Sequence, residues 1–158
     1  AFQEDLKKHP ADGAISENES LERRLAGRIR SLITRIADPE SHFFAIVNKE
    51  MARKTNAFVK MMEQEIKPQH QAMNQLVRQL LGETANEQQV QFCHASIIGQ
   101  CFHWLKIQQH KNDETMPCEM LQLEGAELYA EHVINFSLAG IKAMREQNSL
   151  NTENHDET

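Results

Sequence analysis

The chain has 158 residues and a formal net charge of -6, and 40% of its residues are hydrophobic, which is enough apolar material for one compact domain with a core. Affinity for nucleic acid depends on cations that displace counterions from phosphates, so this acidic chain is expected to bind DNA poorly by itself. No apolar run approaches the roughly 18 residues that cross a bilayer, and no secretory signal opens the chain, so we expect a cytoplasmic protein without membrane contact.

Helical spacing dominates the whole sequence. Apolar residues recur at intervals of three and four, and no segment alternates with a period of two. This predicts an all-α bundle of about five to six helices, with one domain over residues 1–147. Residues 148–158 are polar and acidic and are predicted to form a disordered tail. Residues 1–8, closed by His9-Pro10, look like the end of a helix whose beginning is missing, which indicates a fragment of a longer protein.

The second helix is predicted to begin at a capping box, in which the Ser16 hydroxyl and the Glu19 carboxylate each satisfy an open amide. Its arginines are interleaved with glutamates, so they are expected to form a solvated face. These arginines are Arg23, Arg24, Arg28, Arg30 and Arg35. Asp38-Pro39 is predicted to end this helix and to start a short one, with Asp38 as the N-cap and Pro39 at the first helical position.

A long helix is predicted from about Lys54 to Leu81, because its apolar positions keep helical phase across Pro68. The proline ring expels the hydrogen bond to the Gln64 carbonyl, so a kink is expected there. Gly82 is expected to end the helix.

The next helix, predicted to run from a capping box at Thr84 and Glu87 to about Gln109, is apolar on two sides. One stripe consists of Val90, His94, Ile97, Ile98, Cys101 and Leu105. The other consists of Phe92, Ala95, Ser96, Gly99 and Phe102. One core cannot cover both stripes, so this helix is either central in a bundle or pressed against a second molecule. A polar loop over residues 111–117 separates it from the last helix, predicted over about residues 118–147.

Small residues also recur on the last helix, at Ser137, Ala139, Gly140 and Ala143. Such residues let a partner backbone come close, so the last two helices predict a two-fold homodimer with a four-helix interface. The predicted interface residues are Phe92, Ala95, Ser96, Gly99, Phe102, Phe136, Gly140 and Ala143. A central helix in a monomeric bundle is the alternative.

Aromatic and thioether side chains gather on three of the predicted helices and suit the wall of a cavity for a small apolar or aromatic ligand. The candidate lining residues are Phe43, Phe44, Phe58, Met61, Met62, His94, Ile98 and Trp104. Ordinary core packing explains the same stripe of Met and Phe residues. The kink expected at Pro68 favours a cavity, because it opens space between neighbouring helices.

Metal, cofactor and catalytic sites are not predicted. Cys93 and Cys101 lie eight residues apart on one helix, about 12 Å at the standard rise, so they cannot share one ion. With Cys118 they are odd in number and not spaced as a disulfide framework, which fits a reducing compartment. No Glu-x-x-His pair, Gly-rich phosphate loop or nucleophile elbow occurs, so an enzyme is not expected.

Residues 49–58 resemble a segment of many TetR-type transcriptional regulators, in which Arg-Glu is followed at a fixed distance by Pro-Thr and the start of an apolar helix. Glu50, Thr55 and Ala57 match that pattern, while lysines replace the arginine at Lys49 and the proline at Lys54. Further along, the chain resembles the branch with a CecR-like C-terminal domain. The matching positions are Pro68 and His70, Gly82, His94, and the run Ile97-Ile98-Gly99-Gln100.

This resemblance covers roughly residues 21–105 well, and the last helix by position and pattern. It implies a domain that binds a small effector and dimerises through its last two long helices. DNA would then be bound only through an N-terminal helix-turn-helix domain, which would precede Ala1. A helical module that docks on a different protein, without a small-molecule ligand, is the rival hypothesis.

Overall fold

In the computed structural model, the described residues are 2–41, 47, 49, 50, 53, 55–110 and 125–156, and they contain helices and no strand. The elements are α1 (Phe2–Lys8), α2 (Leu21–Ala37), α3 (Asn56–Met61), a π-helical turn (Met62–Ile66), α4 (Lys67–Leu81), α5 (Glu87–His110) and α6 (Ala126–Asp156). The predicted all-α fold is confirmed. The start predicted for the short helix is wrong, because Asp38 is the C-cap of α2 and Pro39 lies in a turn. Phe43 and Phe44 of that helix and the loop predicted over residues 111–117 lie outside these ranges.

Helix α2 lies at the centre of the bundle and packs against α4, α5 and α6. Leu25, Ile29 and Ile33 have no exposed surface, and they form the middle of the core with residues of the three surrounding helices. Burial of these branched side chains at helical spacing is the main force that holds the bundle together.

The capping box predicted at Ser16 is wrong by one turn. Ser20 is the N-cap of α2, and its hydroxyl accepts the N–H of Arg23 at 3.3 Å. Ser16 instead closes a local turn, in which its hydroxyl accepts the N–H of Asn18 and its carbonyl accepts the N–H of Glu19. Only Ser16 has a glutamate three residues later, since Arg23 holds that position after Ser20. Both serines are suitable N-caps, and the start of the buried stripe decides which one caps the helix.

The long helix predicted across Pro68 is present, with a π-helical turn where a kink was expected. Thr55 caps its first segment by accepting the N–H of Phe58 at 3.3 Å. In the turn, the N–H of Lys67 donates to the carbonyl of Met62, five residues back. Pro68 follows in the first turn of α4, where its missing N–H is tolerated. Gly82 ends α4 with a positive φ of 85°, as predicted from its type.

The cap of α5 also differs from the prediction. Asn86 and Gln89 form the reciprocal box: the Asn86 side chain accepts the N–H of Gln89 at 2.9 Å, and the Gln89 side chain accepts the N–H of Asn86 at 3.0 Å. Glu87, expected to pair with Thr84, instead forms an ion pair with Arg78. The amide pair satisfies the same open donors as the predicted hydroxyl and carboxylate.

Helix α6 continues to Asp156, through most of the residues predicted to form a disordered tail. Asn148 is only 8% exposed. It exchanges two side-chain hydrogen bonds with Gln89, at 2.8 and 3.3 Å. This amide pair joins the last turns of α6 to the first turn of α5, so the polar composition after residue 147 did not end the helix.

The end of α1 and the segment after it pack tightly on α2. Lys8 and His9 both contact the Asp38 carboxylate, at 2.8 and 3.2 Å, and the Ser31 hydroxyl donates to the carbonyl of Pro10. Gly27 lies directly beneath this segment, because a Cβ added there would come within 2.6 Å of the Asp12 carbonyl oxygen. Of the helices in the described ranges, none is both long and apolar enough to be a candidate membrane span.

Substitution of Gly27 with alanine is expected to destabilise the fold by about 1 to 3 kcal/mol, since the methyl group displaces backbone, and this outweighs the gain in helix propensity. Thermal denaturation of the variant measures the loss. Glu22→Ala on the exposed side of α2 is the control and should change stability by no more than about 0.5 kcal/mol. A Gly27→Ala chain as stable as the parent would contradict close packing of the segment on α2.

Candidate functional site

A cleft of about 70 Å³ opens between α2, α4 and α5, beside the segment that follows α1. Its apolar lining residues are Ala11, Leu32, Ile66, Met73, Ile98 and Phe102. Its polar lining residues are Arg28, Arg35, Gln69 and His70. Ile66 ends the π-helical turn, so the irregular part of the long helix borders the opening. An apolar wall with a few polar groups is the usual composition of a small-molecule site.

Two arginines lie on the wall of this cleft. Arg35 is only 6% exposed. Arg28 is half-buried, and its guanidinium donates to Oε1 of Gln69 at 3.5 Å. Burial lowers the pKa of Arg28, while the negative charge of Asp12 opposes that effect. The solvated arginine face predicted for α2 is therefore wrong at these two positions.

The reason lies in the central position of α2. A helix with neighbours on three sides has little surface left for water, so residues 28, 32 and 35 face the cleft as one stripe. Arg30 lies on another side and pairs with Glu127 and Glu131 of α6. The spacing of the arginines was visible in the sequence, but the number of neighbours around α2 was not.

Two histidines meet behind the cleft. The rings of His70 on α4 and His94 on α5 are 5.0 Å apart between centroids and lie edge to face. Nε2 of His94 is buried and has no hydrogen-bond partner among the described residues. Burial lowers the pKa of His94, and the neighbouring His70 lowers it further. Burial also lowers the pKa of His70. Both shifts favour the neutral imidazoles.

The predicted cavity residues are not all brought together. Ile98 lines the cleft, and His94 lies behind it through its contact with His70. Trp104 is 6% exposed and stacks on Tyr129 of α6 at 5.2 Å between ring centroids. It is absent from the cleft wall. The half-buried residues Phe58, Met61 and Met62 are not on that wall either. Phe43 and Phe44 lie outside the described residues.

Sequence reasoning missed four polar residues that the structure places on the cleft: Arg28, Arg35, Gln69 and His70. His70 was noted only as part of a family motif, and the two arginines were assigned to solvent. The signal that could have found the two arginines is their spacing around Leu32, since Arg28, Leu32 and Arg35 are at positions i, i+4 and i+7 of an otherwise buried helix.

The outward sides of α5 and α6 expose apolar surface. Phe92 is 61% exposed and Phe136 is 62% exposed. The smaller residues predicted for the same interface are also exposed: Ala95, Ser96, Gly99, Gly140 and Ala143. A Cβ added at Gly99 or Gly140 would meet nothing within 4 Å. Phe102 differs from this set, since it is half-buried and lines the cleft.

One groove of about 180 Å³ joins these two outward sides. Phe92 and Ser96 contribute from α5, and Phe136 and Gly140 contribute from α6. The surface is therefore continuous across both helices. The prediction that one core cannot cover both stripes of α5 agrees with this burial pattern, in which Val90 and Cys101 have no exposed surface while Phe92 has 61%.

Comparison with known proteins gives one family. The model of the family described as "HTH-type transcriptional dual regulator CecR, C-terminal domain" matches residues 21–141. The match spans α2 to the middle of α6, and so contains both the cleft helices and the outward groove. The predicted resemblance to this branch is confirmed. Searches of curated proteins and of solved structures returned no significant match.

The lowered pKa of His94 predicts how stability depends on pH. Below the ordinary value of 6.5, the unfolded chain takes up a proton that folded His94 resists, so stability is lost as the pH falls from that value toward the lowered pKa. His94→Gln removes this titration and should flatten the decline. Melting temperatures of both chains between about pH 7.5 and about pH 5.5 test it. Parallel pH profiles for the two chains would refute the assignment.

Proposed function

Because the chain belongs to the family of CecR C-terminal domains, which are parts of helix-turn-helix transcriptional regulators, we propose that it is the effector-sensing and homodimerisation domain of a TetR-type repressor. The observation that carries this proposal is the exposed apolar surface across α5 and α6. The cleft beside α2 takes a small effector, and DNA is bound by the helix-turn-helix domain of the parent protein.

The outward surface supports pairing with a second copy. Large aromatic side chains exposed to more than 60% are unfavourable in water, and their burial against an identical surface removes that cost. Phe92 and Phe136 flank the small residues Ser96 and Gly140. An aromatic side chain of one subunit thus finds space over the small residues of the other. A two-fold axis makes this contact twice.

The cleft supports effector sensing because of what surrounds it. Helix α2 supplies Arg28 and Leu32 to the cleft, and Ser31 of the same helix bonds to the carbonyl of Pro10 after α1. Ala11, in the segment after α1, lines the cleft itself. An effector in the cleft therefore contacts both α2 and the segment that joins it to α1. Preference of the effector for one arrangement shifts the population toward it, and α1 transmits the shift to the DNA-binding domain.

Phe136→Glu should abolish the homodimer, because a carboxylate would have to be buried at the centre of the interface. Sedimentation velocity measures the change: the parent chain should sediment as a dimer and the variant as a monomer with unchanged helix content. Val59→Glu is the matched control. Val59 is an exposed apolar residue on α3, 45% accessible and away from the groove, so that variant should remain dimeric.

A parent chain that stays monomeric at high concentration would overturn the dimer proposal and favour the rival, a helical module that docks on a different protein. Two variants that both dimerise would place the interface on another surface.

Ile98→Trp is expected to fill the cleft and to weaken effector binding by at least about tenfold while leaving the dimer intact. Isothermal titration with small apolar and aromatic compounds measures binding, and Ile98→Val, which keeps the cleft open, is the control. Binding that is equal in both variants would show that the ligand lies elsewhere.

A further inference from the structure

We infer that the effector is an apolar organic acid, whose carboxylate binds the guanidinium of Arg28 while its hydrocarbon part lies against Leu32, Ile98 and Phe102. This inference rests on the proposed function of the cleft and adds the chemical class of the ligand. It follows from the charges that border the cleft, from the partners of Arg28 and from the composition of the wall.

The charges come first. Arg28 and Arg35 both line the cleft, and none of the described residues on its wall is acidic. The whole chain carries a formal net charge of -6. Arg28 is half-buried, and its partial removal from water and the repulsion from Arg24 both disfavour its charged form. A bound anion at this guanidinium opposes both effects.

Arg28 has room for such an anion. Among the described residues, no carboxylate lies within ion-pair distance of its guanidinium. Its hydrogen bond to Oε1 of Gln69 is long, at 3.5 Å. Asp12 is close enough to act on its charge, but the Asp12 side chain accepts the N–H of Ala14 at 2.9 Å. Only one of the five N–H donors of Arg28 is thus engaged by Gln69, and the others can bind both oxygens of a carboxylate.

Gln69 adds a second donor at the same place. The bond from Arg28 uses its Oε1 atom, so the amide nitrogen is available to the ligand. His70 is a third polar group on the wall. On α2, Leu32 lies one turn after Arg28 and also lines the cleft, so polar and apolar groups are adjacent on its wall.

The composition of the wall indicates what carries the carboxylate. Six of the ten lining residues are apolar, which fits a hydrocarbon or aromatic body better than a sugar or a nucleotide. The cleft volume of about 70 Å³ limits that body to a small group unless the helices move apart. A short aliphatic monocarboxylate satisfies both conditions in the cleft as it stands, and an aromatic one requires the helices to move apart, because a cavity that holds benzene measures roughly 150 Å³.

The test compares acids with their uncharged amides. Benzoate, naphthoate and octanoate, together with benzamide, naphthamide and octanamide, are titrated into the chain by calorimetry. A charge-assisted hydrogen bond that replaces a neutral one is expected to favour at least one acid over its amide by about tenfold or more. This comparison uses the parent chain and needs no substitution.

Two arginine variants then locate the charge. Arg28→Met should remove the preference for the acid. Arg23→Met on the same helix should keep it, because Arg23 is 67% exposed and pairs with Glu19 at 3.0 Å. The acid should also bind more weakly as the salt concentration rises, while its amide should not.

Each other outcome is decisive. Equal binding of acids and amides, or equal loss in both arginine variants, would overturn the carboxylate inference, and so would a panel in which no acid binds. If amides bind as well as acids and Ile98→Trp abolishes their binding, the result supports the effector cleft and contradicts only the preference for a carboxylate. If acids bind and Ile98→Trp has no effect on their binding, the result contradicts the proposal that the effector binds in this cleft.

Discussion

The core, the cleft and the packing of the segment after α1 all depend on the burial of α2. This helix is surrounded by α4, α5 and α6, and each of its sides makes different contacts. Leu25, Ile29 and Ile33 form the core. Arg28, Leu32 and Arg35 face the cleft. On the third side, a backbone contact at Gly27 and a hydrogen bond from Ser31 hold the segment after α1. A helix used on every side cannot shift for one neighbour without affecting the others, since packed interiors deform little.

That constraint supports the proposed coupling between the cleft and α1. An effector that contacts Arg28 and Leu32 acts on α2. The segment after α1 is bound to the same helix at Ser31, the residue before Leu32. The contacts between this region and α2 are polar. Lys8 and His9 both contact Asp38, and these contacts lower the pKa of the Asp38 carboxyl to about 2. A change in the position of α2 would be carried to α1 through fixed hydrogen bonds and ion pairs. The coupling needs no long chain of intermediates.

The sequence predicted the features that depend on the periodicity of apolar residues. It did not predict the features that depend on which helices pack against each other. Helical spacing was sufficient for the all-α fold, for the long helix across Pro68 and for the two apolar sides of α5. Cap positions were wrong by a turn or less, because Ser16, Ser20, Thr84 and Asn86 are all acceptable caps and only tertiary burial selects between them.

The cleft was predicted in part for the same reason. Ile98 was found because it lies on an apolar stripe, and Trp104 was misplaced because an aromatic residue on the same helix can as easily pack on Tyr129. The arginines of α2 were assigned to water, since their charge is a local property and their burial is not. The polar composition of residues 148–158 predicted a disordered tail, yet one amide pair between Asn148 and Gln89 joins the start of that stretch to α5.

Helix α5 brings the two proposed functions together. Ile98 and Phe102 form part of the cleft wall on one side, while Phe92, Ser96 and Gly99 are on the outward surface of the same helix. If two copies pair through that surface, an effector that moves Ile98 also moves the residues that contact the partner. The dimer geometry would then report the state of the cleft, and the effector would act on two structures at once: α1 through α2, and the partner subunit through α5. Both routes start from side chains that touch the same 70 Å³ of space.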